Sequence, residues 1–286
     1  MNGKSSVVVE RLAELIRETS TSLPDDVERS IAKAVRREDP GSGAAVVLKT
    51  IRDNCRLARA GSTPLCQDTG MLTFFVDERL RRKVTPAAIR KATAIATARG
   101  LLRKNCIDSV DGRSYDDNCA EGTPVIHYCA ARDSGSPPTV TLLMKGGGSE
   151  NMSRQYSLPD AGLRAGRDLA GVRACVLDAV VKAQGYGCAP GILGVCIGGD
   201  RATGFETAKE QLLRDLGDSS GDSRLAKLER TLLKEANELG IGPMGLGGRT
   251  TLLGVKLAAR PRVPASFFVT VAYMCWAARR RTVEFQ

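Results

Sequence analysis

The sequence predicts a mixed α/β (α+β) fold with an N-terminal helical subdomain over residues 1–60, followed by a mixed-sheet domain with flanking helices over 61–286. Two observations carry this prediction. Apolar residues recur at helical spacing through the first part, and from Gly61 short apolar runs alternate with glycine-rich turns and amphipathic segments. A chain of 286 residues is long enough for both parts to bury a core.

Three helices are expected in the N-terminal part. The second follows Pro24 and begins with the acidic pair Asp25 and Asp26, and the third stops at Gly61. Their apolar faces contain, in order, Val8, Leu12, Leu15, Ile16 and Thr19; Val27, Ile31, Ala34 and Val35; and Val47, Ile51, Cys55 and Ala58.

Strands and helices are expected to alternate after Gly61. Thr85 followed by Pro86 is a typical helix start. The expected strands are 72–76, 125–130, 140–144, 192–197, 251–257 and 266–274, and the expected helices are 86–103, 160–184, 203–216 and 223–239.

Charge and composition restrict the classes of function. Lys and Arg number 42 against 32 Asp and Glu, a formal net charge of +10, yet the basic runs at 81–83 and 279–281 are short and aromatics make up only 4%. Nucleic-acid binding, which uses basic patches and stacking aromatics, is therefore not expected. An anionic small molecule or an acidic partner subunit is a better use of the excess charge.

The location expected from the sequence is the cytoplasm. No apolar run of about 20 residues is present, and the N-terminus has charges where a signal peptide needs an apolar run. The nine cysteines are odd in number and include no Cys-x-x-Cys pair, so we expect reduced thiols rather than a disulfide framework.

Three cysteines lie in segments that are unusual for connectors. Cys66 and Cys188 stand among Gly and Pro before expected strands, and Cys275 ends one, beside the single Trp of the chain. Sites are often built on such loop tips. Taken alone, each cysteine is better interpreted as a small buried hydrophobe.

Five motifs stand in an order that resembles the class I, iron–sulfur-dependent fumarate hydratases. The resemblance is to their alpha subunit or N-terminal domain, a group that includes the tartrate dehydratase alpha subunit. The glycine-rich motif has the form seen in fumarases. The motifs are CQDTG at 66–70, KGGGSEN at 145–151, LGIGPMG at 239–245, PASF at 264–267 and CWAARR at 275–280.

This resemblance implies a [4Fe-4S] cluster held by Cys66, Cys188 and Cys275. Three thiolates would bind three irons, and the fourth iron would be open to substrate as a Lewis acid. The remaining cysteines are then expected to be core or incidental residues; they are Cys55, Cys106, Cys119, Cys129, Cys175 and Cys196.

The resemblance also implies roles near the substrate. Asp68 would take part in proton transfer and Gln67 in substrate contact, and the fork-shaped guanidinium of Arg103 would bind a substrate carboxylate. Two alternatives stay open: Asp68 as a turn-capping residue and Arg103 as a cation at a helix C-terminus. The glycines of the second motif are interpreted as a carboxylate-binding turn; they are Gly146, Gly147 and Gly148.

Two further segments qualify this interpretation. Residues 240–245 spell Gly-x-Gly-x-x-Gly, but they follow an amphipathic helix and precede a strand, so we expect a turn in the wall of the cluster pocket and no dinucleotide site. Val263 stands where the resembling family has a histidine within reach of substrate. The single histidine, His127, lies on an expected strand and is expected to be structural.

The function implied is that of an alpha subunit of a hydro-lyase. It would reversibly hydrate fumarate to malate, or a substituted fumarate-type dicarboxylate, and would need a separate beta subunit, as a symmetric α2β2 assembly. The alternatives are a tartrate or mesaconate-type dehydratase subunit and a non-catalytic, partner-binding homologue. No role with nucleic acid or membranes is expected.

Overall fold

The computed structural model describes residues 3–131 and 135–285, and it has the mixed α/β architecture that the sequence predicts. The α-helices are α1 (Gly3–Thr21), α2 (Asp25–Arg37), α3 (Gly43–Gly61), α4 (Pro86–Ala98), α5 (Gly147–Asn151), α6 (Leu169–Ala183), α7 (Arg201–Gln211) and α8 (Ser223–Glu238). The strands are β1 (Met71–Asp77), β2 (Cys106–Ile107), β3 (Ser114–Tyr115), β4 (Val125–Cys129), β5 (Thr139–Lys145), β6 (Arg154–Ser157), β7 (Gly191–Gly198), β8 (Leu252–Arg260), β9 (Phe268–Met274) and β10 (Arg279–Glu284).

The chain forms two compact units, each assembled from separate stretches of sequence. Unit 1 comprises the chain up to Pro24, Asp53–Gly147 and the chain from Arg279 onward. Unit 2 comprises Asp25–Arg52 and Gly148–Ala278. Helices α1 and α2, which the sequence analysis grouped in one N-terminal subdomain, are members of different units.

Unit 1 is built on a four-stranded sheet in the order β10-β5-β1-β4. Strands β1 and β4 are parallel, and the other neighbours are antiparallel. Helices α1 and α4 supply Leu12, Ile16 and Ile89 to a core that they share with Phe74 and Leu142 of the sheet. All five residues are 0% exposed, so the burial of their apolar surface stabilises the unit.

Unit 2 is built on a second four-stranded sheet in the order β6-β9-β7-β8. Strand β7 is buried along its whole length and is antiparallel to β9 and parallel to β8. Helices α6 and α8 pack Val176 and Leu232 into the same core as Leu193 and Val271 of the sheet. A strand buried on both faces reads as a continuous apolar run, which is why β7 was predicted from the sequence.

Local caps fix where the helices begin. The Thr85 hydroxyl accepts a hydrogen bond from the Ala88 amide at 3.3 Å, and α4 starts with proline as predicted. Asp168 caps α6 by accepting from the Gly171 amide at 2.7 Å. This cap corrects the expected helix start at 160, because residues 160–168 form a turn before it.

Other expectations about elements were also wrong: the helix expected at 203–216 runs over Arg201–Gln211. Helix α4 ends at Ala98 and not near 103, because Gly100 takes the left-handed φ of +73° just after it. Strands β6 and β10 were not expected, since their sequences are polar or basic; both complete their sheets as partners of β9 and β5.

No helix within 3–131 and 135–285 is long and apolar enough to cross a membrane.

Candidate active site

The segment 66–70 is a tight turn at the start of β1. Asp68 Oδ1 accepts a hydrogen bond from the Gly70 amide at 2.9 Å, as in an Asx turn. Gly70 has a φ of +73°, and a Cβ there would lie 2.4 Å from the carbonyl oxygen of Lys145. Only glycine fits this position, and it seats the turn against the end of β5, in line with the register Met71 to Lys145.

The glycine motif approaches the carboxylate of this turn. A Cβ on the buried Gly146 would lie 2.7 Å from Asp68 Oδ2, so the absence of a side chain is what lets the two segments approach. The next two glycines, Gly147 and Gly148, are exposed. The two oxygens of Asp68 therefore have different surroundings: Oδ1 closes the turn and Oδ2 faces the glycine segment.

Arg103 is held beside the same turn through its backbone. The Thr69 hydroxyl donates to the Arg103 carbonyl at 3.0 Å and accepts from the Arg103 amide at 2.8 Å, and Asn118 Nδ2 also donates to that carbonyl at 3.0 Å. The guanidinium is exposed and has no hydrogen-bond or ion-pair partner among the residues described. Since α4 ends at Ala98, the alternative of a helix C-terminal cation is wrong.

Arg279 is a residue at this site that the sequence analysis did not select. It begins β10, is 1% exposed, and donates from Nη2 to the carbonyl oxygen of Asp68 at 2.7 Å. Its Nε has no hydrogen-bond partner in the described part of the chain. One feature of the sequence could have pointed to Arg279, since it belongs to the last of the five motifs. Its burial could not be predicted, because it depends on strand β10, which was not expected. Gln67, which lies between Cys66 and Asp68 in the turn, is exposed, and Cys66 is half-buried.

Cys188 and Cys275 come together in unit 2 because of sheet topology. Strands β7 and β9 are antiparallel neighbours with Ile192 opposite Met274, so the residues before β7 and after β9 lie at one end of the sheet. The amide of Trp276 donates to the carbonyl of Cys188 at 3.2 Å. Cys188 is exposed and Cys275 is half-buried.

The glycine-rich turn at 240–245 lies against the Cys188 loop. It follows α8 and precedes β8, as predicted, and the Met244 amide donates to the carbonyl of Ala189 at 2.9 Å. A dinucleotide fingerprint needs a strand before it and a helix after it. The order of elements around this turn is therefore not that of a dinucleotide site. The turn instead contacts the loop that contains Cys188.

The family model described as Fumarate hydratase (Fumerase) matches residues 9–284. The chain belongs to the fumarate hydratase family. A Geobacillus stearothermophilus protein that carries a class I fumarate hydratase name is 49% identical over 96% of this chain. The chain spans only 54% of that relative's length, about half.

Other relatives carry the name of the L(+)-tartrate dehydratase alpha subunit. One from Methanocaldococcus jannaschii is 32% identical, with 96% of this chain and 95% of the relative covered. One from Escherichia coli is 29% identical, with 96% of this chain and 91% of the relative covered. The family membership predicted from the motifs is thereby confirmed.

The cysteines of this fumarate hydratase family member fall into two groups by environment. Burial raises the pKa of Cys175 and of Cys196 to about 11, so both stay neutral thiols near pH 7, as core residues do. Cys188 and Cys275 instead lie beside Tyr273, a buried residue whose hydroxyl lacks a hydrogen-bond partner within the described ranges. A spare buried donor next to two thiols fits a sulfur-containing group.

A site for a single metal ion and a site for a cluster need different groupings of side chains. Within 3–131 and 135–285 no three His, Cys, Asp or Glu side chains are grouped to hold a metal ion. A cluster differs in that each thiolate binds its own iron. Cys66 belongs to unit 1, and Cys188 and Cys275 belong to unit 2; the three-cysteine ligand set stays a prediction.

Val263 lies on a loop fixed by two arginines. Arg262 donates to the Val263 carbonyl at 3.2 Å and stacks its guanidinium over Phe267 at 4.6 Å, and Arg167 donates to the Ala265 carbonyl at 2.8 Å. The Val263 side chain is 65% exposed. An ordered loop therefore presents an apolar side chain to solvent. His127 is elsewhere, stacked on Phe75 at 5.2 Å within the first sheet.

Proposed function

We propose that this chain is the alpha component of a [4Fe-4S]-dependent hydro-lyase that reversibly hydrates fumarate to malate or acts on a substituted fumarate-type dicarboxylate. The observation that carries the proposal is the turn at 66–70, where a cysteine, a carboxylate facing Gly146 and an anchored Arg103 occur together. Family membership supports the same reaction class.

Cys66, Cys188 and Cys275 are the residues that would hold the cluster. When bound, it would supply an open, Lewis-acidic iron that polarises the substrate. The donor set suits it because thiolates are the protein ligands of such clusters, and the neutral, buried thiols of Cys175 and Cys196 are not available as ligands.

Asp68 is the residue proposed to move the proton. Its Oδ1 is used by the turn, which fixes the side chain and aims Oδ2 at the glycine segment. A carboxylate held in this way is positioned for general acid–base catalysis. Arg279 stabilises the turn by donating a hydrogen bond to the backbone carbonyl of Asp68.

The substrate is bound as an anion. The exposed guanidinium of Arg103 has its donors available for a carboxylate, and its backbone is fixed by Thr69, so little order is lost on binding. Gln67 is proposed to contact the substrate, and Gly146, Gly147 and Gly148 to offer amides to its second carboxylate.

A partner subunit is part of the proposal. Relatives named as alpha subunits, and a relative about twice as long, support a companion polypeptide in a symmetric α2β2 assembly. The apolar rim (Tyr186, Met244 and Leu246) gives it a docking surface: these residues are 78%, 42% and 64% exposed on loops that meet beside Cys188. We assign this surface to the companion subunit because a group of exposed apolar side chains is typical of a protein–protein contact.

A tartrate or mesaconate-type dicarboxylate is the second candidate substrate. The observation that favours it is Val263, since an apolar side chain held out by a fixed loop suits a substrate with an added methyl group. A substrate panel with the companion subunit present separates the two: fumarate hydration should dominate under the first proposal and be the slower reaction under the second.

The deciding experiment is iron and acid-labile sulfide per chain after anaerobic reconstitution. Wild type is expected to hold about four irons, and Cys66→Ser, Cys188→Ser and Cys275→Ser to lose most of them. Cys106→Ser is the matched control, since Cys106 is half-buried like Cys66 but lies outside the proposed ligands. Iron near zero in wild type, or equal in all variants, would favour a non-catalytic, partner-binding homologue.

A further inference from the structure

Tyr273 is a buried tyrosine whose hydroxyl group the protein does not use. It lies near the end of β9 and is 1% exposed, and its Oη has no hydrogen-bond partner in the described part of the chain. Buried hydroxyls are almost always hydrogen-bonded, because they lose their contacts with water. The unpaired Tyr273 hydroxyl therefore suggests a hydrogen-bond acceptor that is not part of the polypeptide.

Two glycines hold the ring of Tyr273 against the Cys188 loop. A Cβ on Gly187 would lie 2.3 Å from the ring Cε1, and a Cβ on Gly191 would lie 2.5 Å from Oη. Any larger residue at either position would displace the ring. The fold thus reserves space for the phenol beside Cys188, and the same end of its strand leads directly into Cys275.

The hydroxyl of Tyr273 is available as a hydrogen-bond donor. A phenol carries its proton near neutral pH, so Oη has one hydrogen to donate. The side chains of Cys275 and Cys188 lie close enough to interact with it electrostatically. Cysteine thiolates bound to a cluster, and the sulfides of the cluster itself, are chemically suitable acceptors for such a donor.

We infer that Tyr273 Oη donates a hydrogen bond to a sulfur atom of the cluster held by Cys188 and Cys275, and so sets the cluster's reduction potential and its resistance to oxygen. This inference rests on the proposed function. Hydrogen bonds to the sulfurs withdraw electron density and make the cluster harder to oxidise. The polar atom that is unsatisfied in the polypeptide alone is satisfied once the cluster is bound.

The test compares Tyr273→Phe with wild type in the full chain, before and after anaerobic reconstitution. Without the cluster, the variant should melt at the same temperature as wild type or higher, because the deleted hydroxyl has no partner to lose. With the cluster, the reduction potential should become more negative, and loss of iron in air should be on the order of threefold or more faster.

Tyr156→Phe is the matched control in the same core. Its hydroxyl donates to Asp178 at 2.7 Å, so its loss should lower the melting temperature of the cluster-free chain and leave the potential unchanged.

Three outcomes overturn the inference. If Tyr273→Phe melts lower without the cluster, the hydroxyl has a protein partner. If reconstituted wild type and Tyr273→Phe share one potential and one rate of iron loss, the hydroxyl does not contact the cluster, while the proposed function stands. If wild type takes up no iron, the proposed function fails and the inference fails with it.

Discussion

The two carboxylate oxygens of Asp68 have different roles: one stabilises the turn, and the other is proposed to take part in the chemistry. Oδ1 accepts from the Gly70 amide at 2.9 Å, and Oδ2 faces Gly146. Asparagine keeps an oxygen for the turn but does not exchange a proton near neutral pH. Asp68→Asn is therefore expected to fold normally, and to lower kcat of the enzyme assembled with its companion subunit by about 10²–10⁴-fold.

The control for this prediction is another aspartate that closes a turn. Asp108 Oδ1 accepts from the Val110 amide at 2.8 Å, in a turn of the same unit away from residues 66–70. Asp108→Asn should leave kcat within about twofold of wild type, as surface changes away from a site usually do. A full kcat in Asp68→Asn, measured at saturating substrate, would leave the residue with its turn-capping role alone.

Some residues of the candidate site could be predicted from the sequence, and others could not. The motif order identified the turn at 66–70 and the glycine segment, and the structure brings Asp68 and Gly146 together. The partnership of Arg279 with Asp68 joins residues that are 211 positions apart. No local pattern encodes such a contact, because it depends on the pairing of β10 with β5.

At the scale of elements, Glu229 joins α8 to β8 and to the connection at 217–221. The side chain is 5% exposed, and its carboxylate accepts from the Leu257 amide at 2.8 Å, the Ser220 amide at 3.1 Å and Arg214 at 2.9 Å. The Glu229→Gln change removes the negative charge that faces Arg214. It also replaces one carboxylate oxygen by an NH2 group, which cannot accept the hydrogen bond that a backbone amide donates there. We expect it to lower the free energy of unfolding by about 2–4 kcal/mol.

Glu238→Gln is the matched change on the same helix. Glu238 is exposed and pairs with Lys234 at 3.6 Å, and such surface pairs contribute about 0–1 kcal/mol. Urea unfolding of both variants measures the difference. Equal midpoints for the two would mean that the Glu229 network does not hold unit 2 together.

Elements were predictable from sequence where one local signal dominated. Strands β1, β5, β7, β8 and β9 carry apolar runs, and the Thr85-Pro86 pair marked the start of α4. Strand β10 was missed because its sequence begins with three arginines; Arg279 and Arg280 are buried there all the same, at 1% and 8% exposure. Tertiary pairing outweighed the polar composition of that segment.

At the scale of the whole molecule, the chain alternates between its two units. Asp25–Arg52 joins unit 2, and the chain from Arg279 returns to unit 1. A composition change at Gly61 was visible in the sequence, but discontinuous units depend on contacts between distant segments, which composition does not encode. Motifs in fixed order were the stronger guide, because family membership followed from them directly.

The apolar rim (Tyr186, Met244 and Leu246) is the surface of unit 2 that we assign to the companion subunit. If the companion subunit covers it, the double change Tyr186→Glu and Leu246→Glu buries two charges in the interface without partners. Buried, unpaired charges at an interface are costly, so affinity for the companion should fall on the order of tenfold or more. Both side chains are over 60% exposed in this chain, so its own stability should not change.

Val110→Glu is the control, because Val110 is 97% exposed and lies in unit 1, on a turn remote in sequence from the rim. Sedimentation of the purified chain with the companion polypeptide measures the Kd for each variant. Loss of binding in the rim variant alone would make the rim the contact surface. The companion would then cover the neighbourhood of the exposed Cys188 and would shield a cluster bound there from oxygen. Equal affinities for all three proteins would place the companion on another face, and would leave Cys188 open to solvent in the complex as it is in the isolated chain.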